Sequence, residues 1–298
     1  MMRHHSGFVS IIGRPNVGKS TLVNRMVGQK ISIVTSKPNT TRHAILGVLT
    51  KENYQVIFID TPGLINQRRR LMDKVMHRAA SGSLEGASLV LLVIEANKWL
   101  SKDSNALEII KHANVPCILV VNKVDKIKPK SKLLVFLESV AKKHNYLEIL
   151  PISALKNENL DRLENEIVKN LPEEIPLFPS EMLTDKGIQF RIAESIREKL
   201  MQNLHQELPY GVGVEIDHIE DLDERLNVSA IIWVERESHK GIVIGSGGQS
   251  IKDIGQKSRF DMQDILNRKV HLVTRVKVKR NWTGNSQWID QFGYGVSE

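Results

Sequence analysis

A glycine-rich segment near the start of the chain joins an apolar run to an amphipathic run, which predicts a strand, a loop and a helix in that order. Its glycines let successive backbone N–H groups point at one anion, and the helix start adds its positive dipole end. Lys19 then reaches the outer phosphates of a nucleotide, and the Ser20 hydroxyl can ligate Mg²⁺. The segment predicts a nucleoside triphosphate site, with a plain strand-to-helix turn as the alternative. The expected ligand contacts are Gly13, Arg14, Pro15, Asn16, Val17, Gly18, Lys19, Ser20 and Thr21.

A second motif follows the apolar strand pattern of residues 54–59 and reads Asp60, Thr61, Pro62 and Gly63. A carboxylate at Asp60 can reach Mg²⁺ through water, and the Gly63 N–H can donate to a γ-phosphate. Taken alone, this motif is equally typical of a plain turn. Its position one hairpin after the glycine loop favours the nucleotide site.

A third motif identifies the base. Asn122, Lys123, Val124 and Asp125 directly follow the apolar strand pattern of residues 116–121. A carboxylate at Asp125 accepts two hydrogen bonds from the N1–H and the exocyclic amine of guanine, an arrangement that adenine lacks, and rejects the wrong base by roughly four orders of magnitude. Lys123 is expected along the base plane, and Asn122 is expected to tie this loop to the phosphate loop. The ligand is therefore GTP or GDP, and the guanine carbonyl is expected near Ser153, Ala154 and Leu155.

Together with the segment Ser153 to Leu155, these three motifs resemble the translation-factor-like class of P-loop GTPases. The resemblance implies that a threonine after the first helix completes the Mg²⁺ shell. Thr40, Thr41 and Arg42 lie in that loop, and Thr41 is expected as the ligand because it directly precedes the arginine. The expected metal ligands are Ser20, Thr41 and Asp60, and the expected catalytic groups are Lys19, Thr41, Gly63 and Asn16.

One departure from many signalling GTPases concerns hydrolysis. Leu64 stands where those enzymes have the glutamine that orients the attacking water, and its side chain cannot hydrogen bond. We expect an intrinsic rate on the order of 10⁻⁴ to 10⁻² per second, raised by a partner, a monovalent cation or a rearranged loop. The resemblance also implies that Asn16 helps to hold K⁺ against the phosphates. Arg42 and the arginines at 68–70 are alternative sources of positive charge.

Strand and helix patterns alternate from residue 7 to about residue 171. This alternation predicts an α/β fold, a doubly wound and mainly parallel sheet whose ligands gather at the carboxyl ends of the strands. Prolines and acidic residues then interrupt the pattern. We expect a P-loop GTPase domain over residues 1–172, a semi-rigid linker over 173–185 and a second domain over 186–298.

The second domain begins with apolar residues at every fourth position, a helix face, and continues with two strand patterns. A short glycine turn between two helical patterns follows, and a last strand pattern ends the domain. This order predicts a smaller α+β KH domain of type II, in which the turn lets the backbone of single-stranded RNA approach the amides, although an isolated glycine turn is usually only flexible. The expected RNA contacts are Lys240, Ile244, Gly245, Ser246, Gly247, Gly248, Ser250, Lys252, Arg275, Lys277 and Lys279.

The last strand pattern alternates apolar and basic residues, so that Arg275, Lys277 and Lys279 project from one face. A solubilising edge strand has the same pattern. The net charge of +8 favours polyanion binding, because a positive field raises the association rate with a phosphate backbone. A basic surface also suits anionic lipid, so contact with a membrane surface is a second interpretation.

The guanine motifs followed by a helix-first KH pattern closely resemble the Era family of bacterial GTPases. The resemblance implies binding to the 3′ region of small-subunit ribosomal RNA, a role in maturation of that subunit, and peripheral contact with the inner face of the cell membrane. We expect a cytoplasmic protein, because the sequence shows no signal peptide and no apolar span. We also expect a monomer that uses GTP, GDP and Mg²⁺. The rival interpretations are an RNA-binding scaffold with a structural nucleotide and a membrane-acting GTPase that is indifferent to RNA.

Overall fold

The computed structural model describes residues 4–63, 71–204 and 208–292. Leu64 and the arginines at 68–70 therefore lie outside the described residues. Within these ranges the chain divides into two compact units. The first unit comprises residues 4–32, 41–63 and 76–185, and the second comprises residues 33–40, 71–75, 186–204 and 208–292.

Up to residue 185, the described chain alternates strands and helices. They are β1 (His5–Ile12), α1 (Lys19–Val27), β2 (Ile45–Lys51), β3 (Tyr54–Asp60), α2 (Leu71–Gly82), β4 (Leu89–Glu95), α3 (Ser101–Ala113), β5 (Cys117–Asn122), α4 (Ser131–Ala141), β6 (Glu148–Pro151) and α5 (Leu160–Lys169). The strands form one sheet in the order β2-β3-β1-β4-β5-β6. Only the β2–β3 pair of this sheet is antiparallel, which confirms the expected doubly wound, mainly parallel fold.

The inner strands of this sheet are buried on both faces, which explains their continuous apolar sequences. Every residue of β4 before Glu95 is fully buried. One face packs against α1 and α5, and the other packs against α2, α3 and α4. Because parallel strands place their carboxyl ends at one edge, the loops after β1, β5 and β6 meet there.

The segment predicted as a linker, residues 173–185, packs against β2 and β3. The Val48 N–H donates to the Leu183 carbonyl at 2.9 Å. The Gln55 side chain binds both backbone groups of Phe178, at 2.9 Å to its N–H and 2.8 Å to its carbonyl. The segment therefore belongs to the first compact unit.

The second unit contains α6 (Ile188–Asn203), β7 (Gly213–Leu222), β8 (Arg225–Val234), α7 (Glu237–Ile244), α8 (Gln249–Leu266), β9 (Val270–Val278) and α9 (Ser286–Gln291). Its sheet has the order β7-β8-β9, with an antiparallel first pair and a parallel second pair. The apolar face of α6, predicted from its four-residue spacing, packs with α8 onto one side of this sheet. β9 is an edge strand, and its residues alternate between partly buried and exposed as the sequence predicts. Across the described parts of both units, no helix combines the length and the apolarity that a membrane span needs.

Candidate nucleotide site and nucleic-acid groove

The glycine-rich loop lies between β1 and the start of α1 at Lys19. Gly18 has a φ of 104°, which side chains disfavour, and a Cβ there would lie 2.3 Å from Nδ2 of Asn122. A Cβ at Gly13 would lie 2.3 Å from the carbonyl oxygen of Val93. Both glycines are required for this close backbone approach. The resulting tight loop can direct several N–H groups at one anion.

The Lys19 side chain is enclosed by the phosphate loop and is 6% exposed. Its Nζ donates to the carbonyls of Gly13 at 3.0 Å and Arg14 at 3.3 Å. The pKa of Lys19 is lowered to about 8, mainly by burial. The negative charge of Asp60 opposes this lowering, and the positive charge of Arg14 adds to it. A polyphosphate at this position would favour the charged ammonium.

Three side chains that could hold Mg²⁺ lie close together near Lys19. The hydroxyls of Ser20 and Thr41 are 2.9 Å apart. Asp60 is fully buried, and among the described residues neither of its carboxylate oxygens has a hydrogen-bond partner in good geometry. Burial raises the pKa of Asp60, and the charge of Lys19 and the nearby hydroxyls of Ser20, Ser32 and Thr41 oppose this rise. A buried carboxylate without a well-aligned donor, next to the hydroxyls of Ser20 and Thr41, fits a hard divalent cation.

Of the two candidate threonines, the structure brings Thr41 to Ser20. The Thr40 hydroxyl is bound elsewhere, at 2.6 Å to the Thr35 hydroxyl and 2.7 Å to the carbonyl of Lys37. The choice of Thr41 as the proposed metal ligand therefore agrees with the hydroxyl positions.

The Asp60 motif continues into a segment that lies directly against the phosphate loop. The Thr61 hydroxyl donates to the carbonyl of Ile11 at 2.6 Å. A Cβ at Gly63 would lie 2.6 Å from the backbone nitrogen of Pro15, so only glycine fits there without movement. Pro62 lies between them and is buried.

Asn122 joins the base motif to the phosphate loop, as the sequence predicts. Its Nδ2 donates to the Val17 carbonyl at 2.8 Å. Its Oδ1 accepts from the N–H groups of Lys123 at 2.8 Å and Ala154 at 3.0 Å. One buried amide thus fixes three backbone segments relative to one another.

The other base-motif side chains converge on the same edge of the sheet. Lys123 Nζ donates to the Asn16 carbonyl at 2.5 Å. A carboxylate oxygen of Asp125 accepts from the Ser153 hydroxyl at 2.6 Å, which orients the carboxylate. Leu155 follows with a side chain that is 60% exposed. The structure therefore brings together all the side chains expected around guanine.

In the second unit, the glycine turn joins α7 to α8. Gly245, Gly247 and Gly248 have φ values of 74°, 57° and 78°. A Cβ at Gly247 or Gly248 would meet nothing within 4 Å, so the backbone conformation accounts for glycine there. A Cβ at Gly245 would lie 2.7 Å from that of Ser250. Ser246 and Gly247 are exposed, so a polyanion can reach this turn.

A groove of about 380 Å³ lies between α8 and the edge strand β9. Sequence reasoning identified Lys252 on its wall but missed Arg259 and His271. The signal for Arg259 was its seven-residue spacing from Lys252, which places both on one helix face. His271 gave no comparable signal, because its place beside α8 depends on the fold. The groove is lined by Ile251, Lys252, Gly255, Gln256, Arg259, His271, Leu272 and Thr274.

The other predicted RNA contacts lie on α7, on β9 or directly after β9. Lys240 and Ile244 are partly buried on α7, before the turn. Arg275 and Lys277 are exposed on β9, and Lys279 follows the strand. The ammonium groups of the two lysines lie over tryptophan rings, 5.6 Å from the centroid of Trp233 for Lys277 and 4.6 Å from that of Trp288 for Lys279.

Comparison with known proteins agrees with both halves of this description. The sequence family described as 50S ribosome-binding GTPase matches residues 8–123, and the KH domain family matches residues 207–283. The GTPase Era of Stenotrophomonas maltophilia strain K279a is 46% identical over 98% of this chain and 98% of its own length. The chain belongs to the Era family of GTPases. Era from Xanthomonas oryzae pv. oryzae strain MAFF 311018 is 45% identical over 98% of this chain and 97% of its own length.

Solved Era structures share the whole fold. One holds Era in complex with MgGDPNP and nucleotides 1506–1542 of 16S ribosomal RNA, and another holds a variant of Aquifex aeolicus Era bound to GDP·AlF₄⁻. Each has a TM-score of 0.95 and 40% identity, and covers 98% of this chain and 100% of its own. The expected family, fold class and GTPase activity are confirmed.

Proposed function

We propose that this chain is a GTP-dependent switch that binds the single-stranded 3′ region of small-subunit ribosomal RNA and acts in assembly of that subunit. One observation carries the proposal: the same chain brings together the side chains expected around guanine and also has a basic groove beside an exposed glycine turn. A related Era, whose structure matches 98% of this chain, holds GDPNP and nucleotides 1506–1542 of 16S ribosomal RNA together.

In the proposed site, the loop amides and Lys19 bind the phosphates, and Asp125 binds guanine. Ser20, Thr41 and Asp60 would hold Mg²⁺, which supplies positive charge on the phosphate oxygens. The Gly63 N–H is the proposed donor to the γ-phosphate. Because these groups surround the transferred phosphoryl group, they stabilise its transition state by position and charge.

Hydrolysis without a partner is proposed to be slow. Leu64 replaces the glutamine that orients water in many GTPases, so the chain needs another source of orientation or charge. K⁺ held with the help of Asn16 is the proposed source. Comparing phosphate release in K⁺ and in Na⁺ tests this role, and equal rates in the two salts would contradict it.

The segment that precedes Thr41 supports coupling between nucleotide and RNA. Residues 33–40 belong to the second unit. The fully buried guanidinium of Arg197, on α6, donates to the carbonyl of Thr40 at 2.5 Å. Thr41, the proposed metal ligand, is the next residue in the chain. Because Thr41 is joined directly to Thr40, a change in the position of Thr41 would also displace Thr40, which Arg197 of the second unit holds.

Binding measurements test the coupling. We expect an RNA of the 3′ region to bind the full chain with different affinity in GDPNP and in GDP. Coupling of binding free energies is reciprocal, so the RNA must change the affinity ratio of the two nucleotides by the same factor. Equal RNA affinity in both nucleotides would contradict the switch and leave GTP binding intact. A chain that binds both ligands but releases no phosphate would instead be a scaffold.

Contact with the membrane surface is a second candidate, favoured by α4. Leu134 and Val135 on this helix are 63% and 68% exposed. Lysines at 128, 130, 132, 142 and 143 are exposed at the two ends of the helix. The proposal is a cytoplasmic monomer with peripheral contact to anionic lipid. Sedimentation with anionic vesicles, with and without competing RNA, tests the contact, and sedimentation equilibrium tests the monomer.

A further inference from the structure

Glu95 lies at the carboxyl end of β4, and its carboxylate reaches two motifs of the nucleotide site. Its Oε2 accepts from Lys123 Nζ, in the base motif, at 3.3 Å. The same oxygen accepts from Arg14 Nη2, in the phosphate loop, at 3.4 Å. Its Oε1 accepts from Lys98 at 2.7 Å. One carboxylate therefore connects the half of the site that binds guanine to the half that binds phosphate.

Arg14 also binds a second carboxylate, that of Asp103. Asp103, in the first turn of α3, is fully buried. Its Oδ2 accepts from Arg14 Nε at 3.2 Å and from the Leu100 N–H at 2.9 Å. The Arg14 guanidinium is thus bound by carboxylates from two elements, β4 and α3. Glu95 therefore binds a partner that Asp103 also holds in place.

The charges explain why a carboxylate is needed at this position. Burial lowers the pKa of Lys123, the Glu95 carboxylate raises it, and the charges of Lys126 and Arg14 lower it. Burial also opposes ionisation of Glu95, but the hydrogen bonds and charges of Lys98 and Lys123 outweigh it and bring its pKa to about 2. Glu95 therefore stays ionised at neutral pH. Its charge favours the protonated form of Lys123, which lies near the positive charge of Arg14 in the phosphate loop.

We propose that Glu95 is a positioning residue that acts through Lys123 and slows nucleotide release. A lysine has a flexible four-carbon side chain, which loses conformational entropy when it is held in one conformation. If the free protein already holds the side chain, this entropy is not lost when the nucleotide binds. Glu95 and the Asn16 carbonyl, at 2.5 Å from Nζ, hold Lys123 in place before binding. The inference rests on the proposed role of Lys123 along the base plane.

The test compares dissociation of a fluorescent GDP from the full chain and from Glu95→Gln. The amide keeps the size of the side chain but loses the charge, so we expect release to be about tenfold faster. Single-turnover hydrolysis of bound GTP should change less than about twofold. The hydrogen-bond partners of the Glu95 carboxylate among the described residues are Arg14, Lys98 and Lys123, and none of them is proposed to bind the γ-phosphate. The matched control is Glu108→Gln on α3, an exposed carboxylate paired with Lys111 at 2.9 Å, which should leave release unchanged. Unchanged release in Glu95→Gln would overturn the proposal.

A double-mutant cycle distinguishes positioning from a general structural role. In the Lys123→Met background, we expect Glu95→Gln to speed release less than about twofold, since its target is gone. Effects that multiply would show that Glu95 does not act through Lys123. Normal release in Lys123→Met alone would instead refute the role of Lys123 on which the inference rests. Because Glu95→Gln could lower stability, Glu95→Asp serves as a second variant. It keeps the charge and should release GDP more slowly than Glu95→Gln, and equal rates would overturn the proposal.

Discussion

The proposed nucleotide site and the proposed RNA groove of this chain are built from side chains in opposite surroundings. Lys19, Asp60 and Asn122 are buried, and Asn122 alone fixes three backbone segments. In the groove, Lys252 is exposed, and Arg259 is only partly buried. The first site is preorganised for one ligand, whereas the second offers charge to an extended polyanion.

This difference predicts how each site responds to substitution. A buried polar group that loses its partner keeps the full cost of its desolvation, so single changes at the nucleotide site should have large effects. An exposed lysine that contacts one phosphate contributes a modest amount that salt screens. Four measurements test this contrast, and their expected effects decrease from the base motif to the groove.

The largest effect is expected for Asp125→Asn. The amide presents a donor to the N1–H of guanine, while the second carbonyl of xanthine can accept from it. Preference for GTP over XTP should fall by roughly four orders of magnitude. Competition binding with the two nucleotides measures this ratio. Asp161→Asn, an exposed carboxylate on α5, is the matched control. Retained guanine preference in Asp125→Asn would refute the assignment of the base.

The next effect distinguishes two neighbouring threonines. Thr41→Ala removes a hydroxyl that lies 2.9 Å from that of Ser20, whereas Thr40→Ala removes one bound to Thr35. We expect single-turnover GTP hydrolysis to slow by about tenfold to a hundredfold in Thr41→Ala, the range for groups that organise a metal site. Thr40→Ala should change it less than about threefold. The reverse ranking would show that Thr40 completes the metal site.

The sequence predicts the fold, the nucleotide site and the groove only in part. Strands, helices and nucleotide motifs follow from local patterns, because apolar periodicity and glycine loops are properties of neighbouring residues. Glu95 and Asp103 look like ordinary charged residues at the ends of elements, and only the fold brings both to Arg14. Likewise, Arg259 and His271 face one groove because α8 lies along β9. Long-range placement therefore limits what a single sequence reveals.

The next prediction is that GTP affinity changes about tenfold with pH. Burial gives Lys19 a pKa of about 8, and bound phosphates favour its charged form. Below pH 8 the ammonium is already present, so GTP affinity should vary little. Above pH 8 the free protein loses this proton and binding must take it up, so affinity should fall about tenfold between pH 7 and pH 9. Titration calorimetry at each pH measures the GTP affinity. Lys19→Arg, which stays charged, should lack the fall, and an equally steep fall would contradict the assignment to Lys19.

The smallest effect is expected in the groove, for Lys252→Ala. Loss of one contact to a single-strand phosphate should weaken RNA binding a few-fold and flatten the slope of log affinity against log salt by roughly 0.7. Lys257→Ala, an exposed lysine on α8 outside the groove lining, is the control and should leave the slope unchanged. Filter binding between about 50 and 200 mM salt measures both slopes. If Lys252→Ala abolished binding at every salt concentration, the groove would depend on a fixed contact and would resemble the nucleotide site. If both variants changed the slope equally, the charge of α8 as a whole, and not the groove, would attract the RNA.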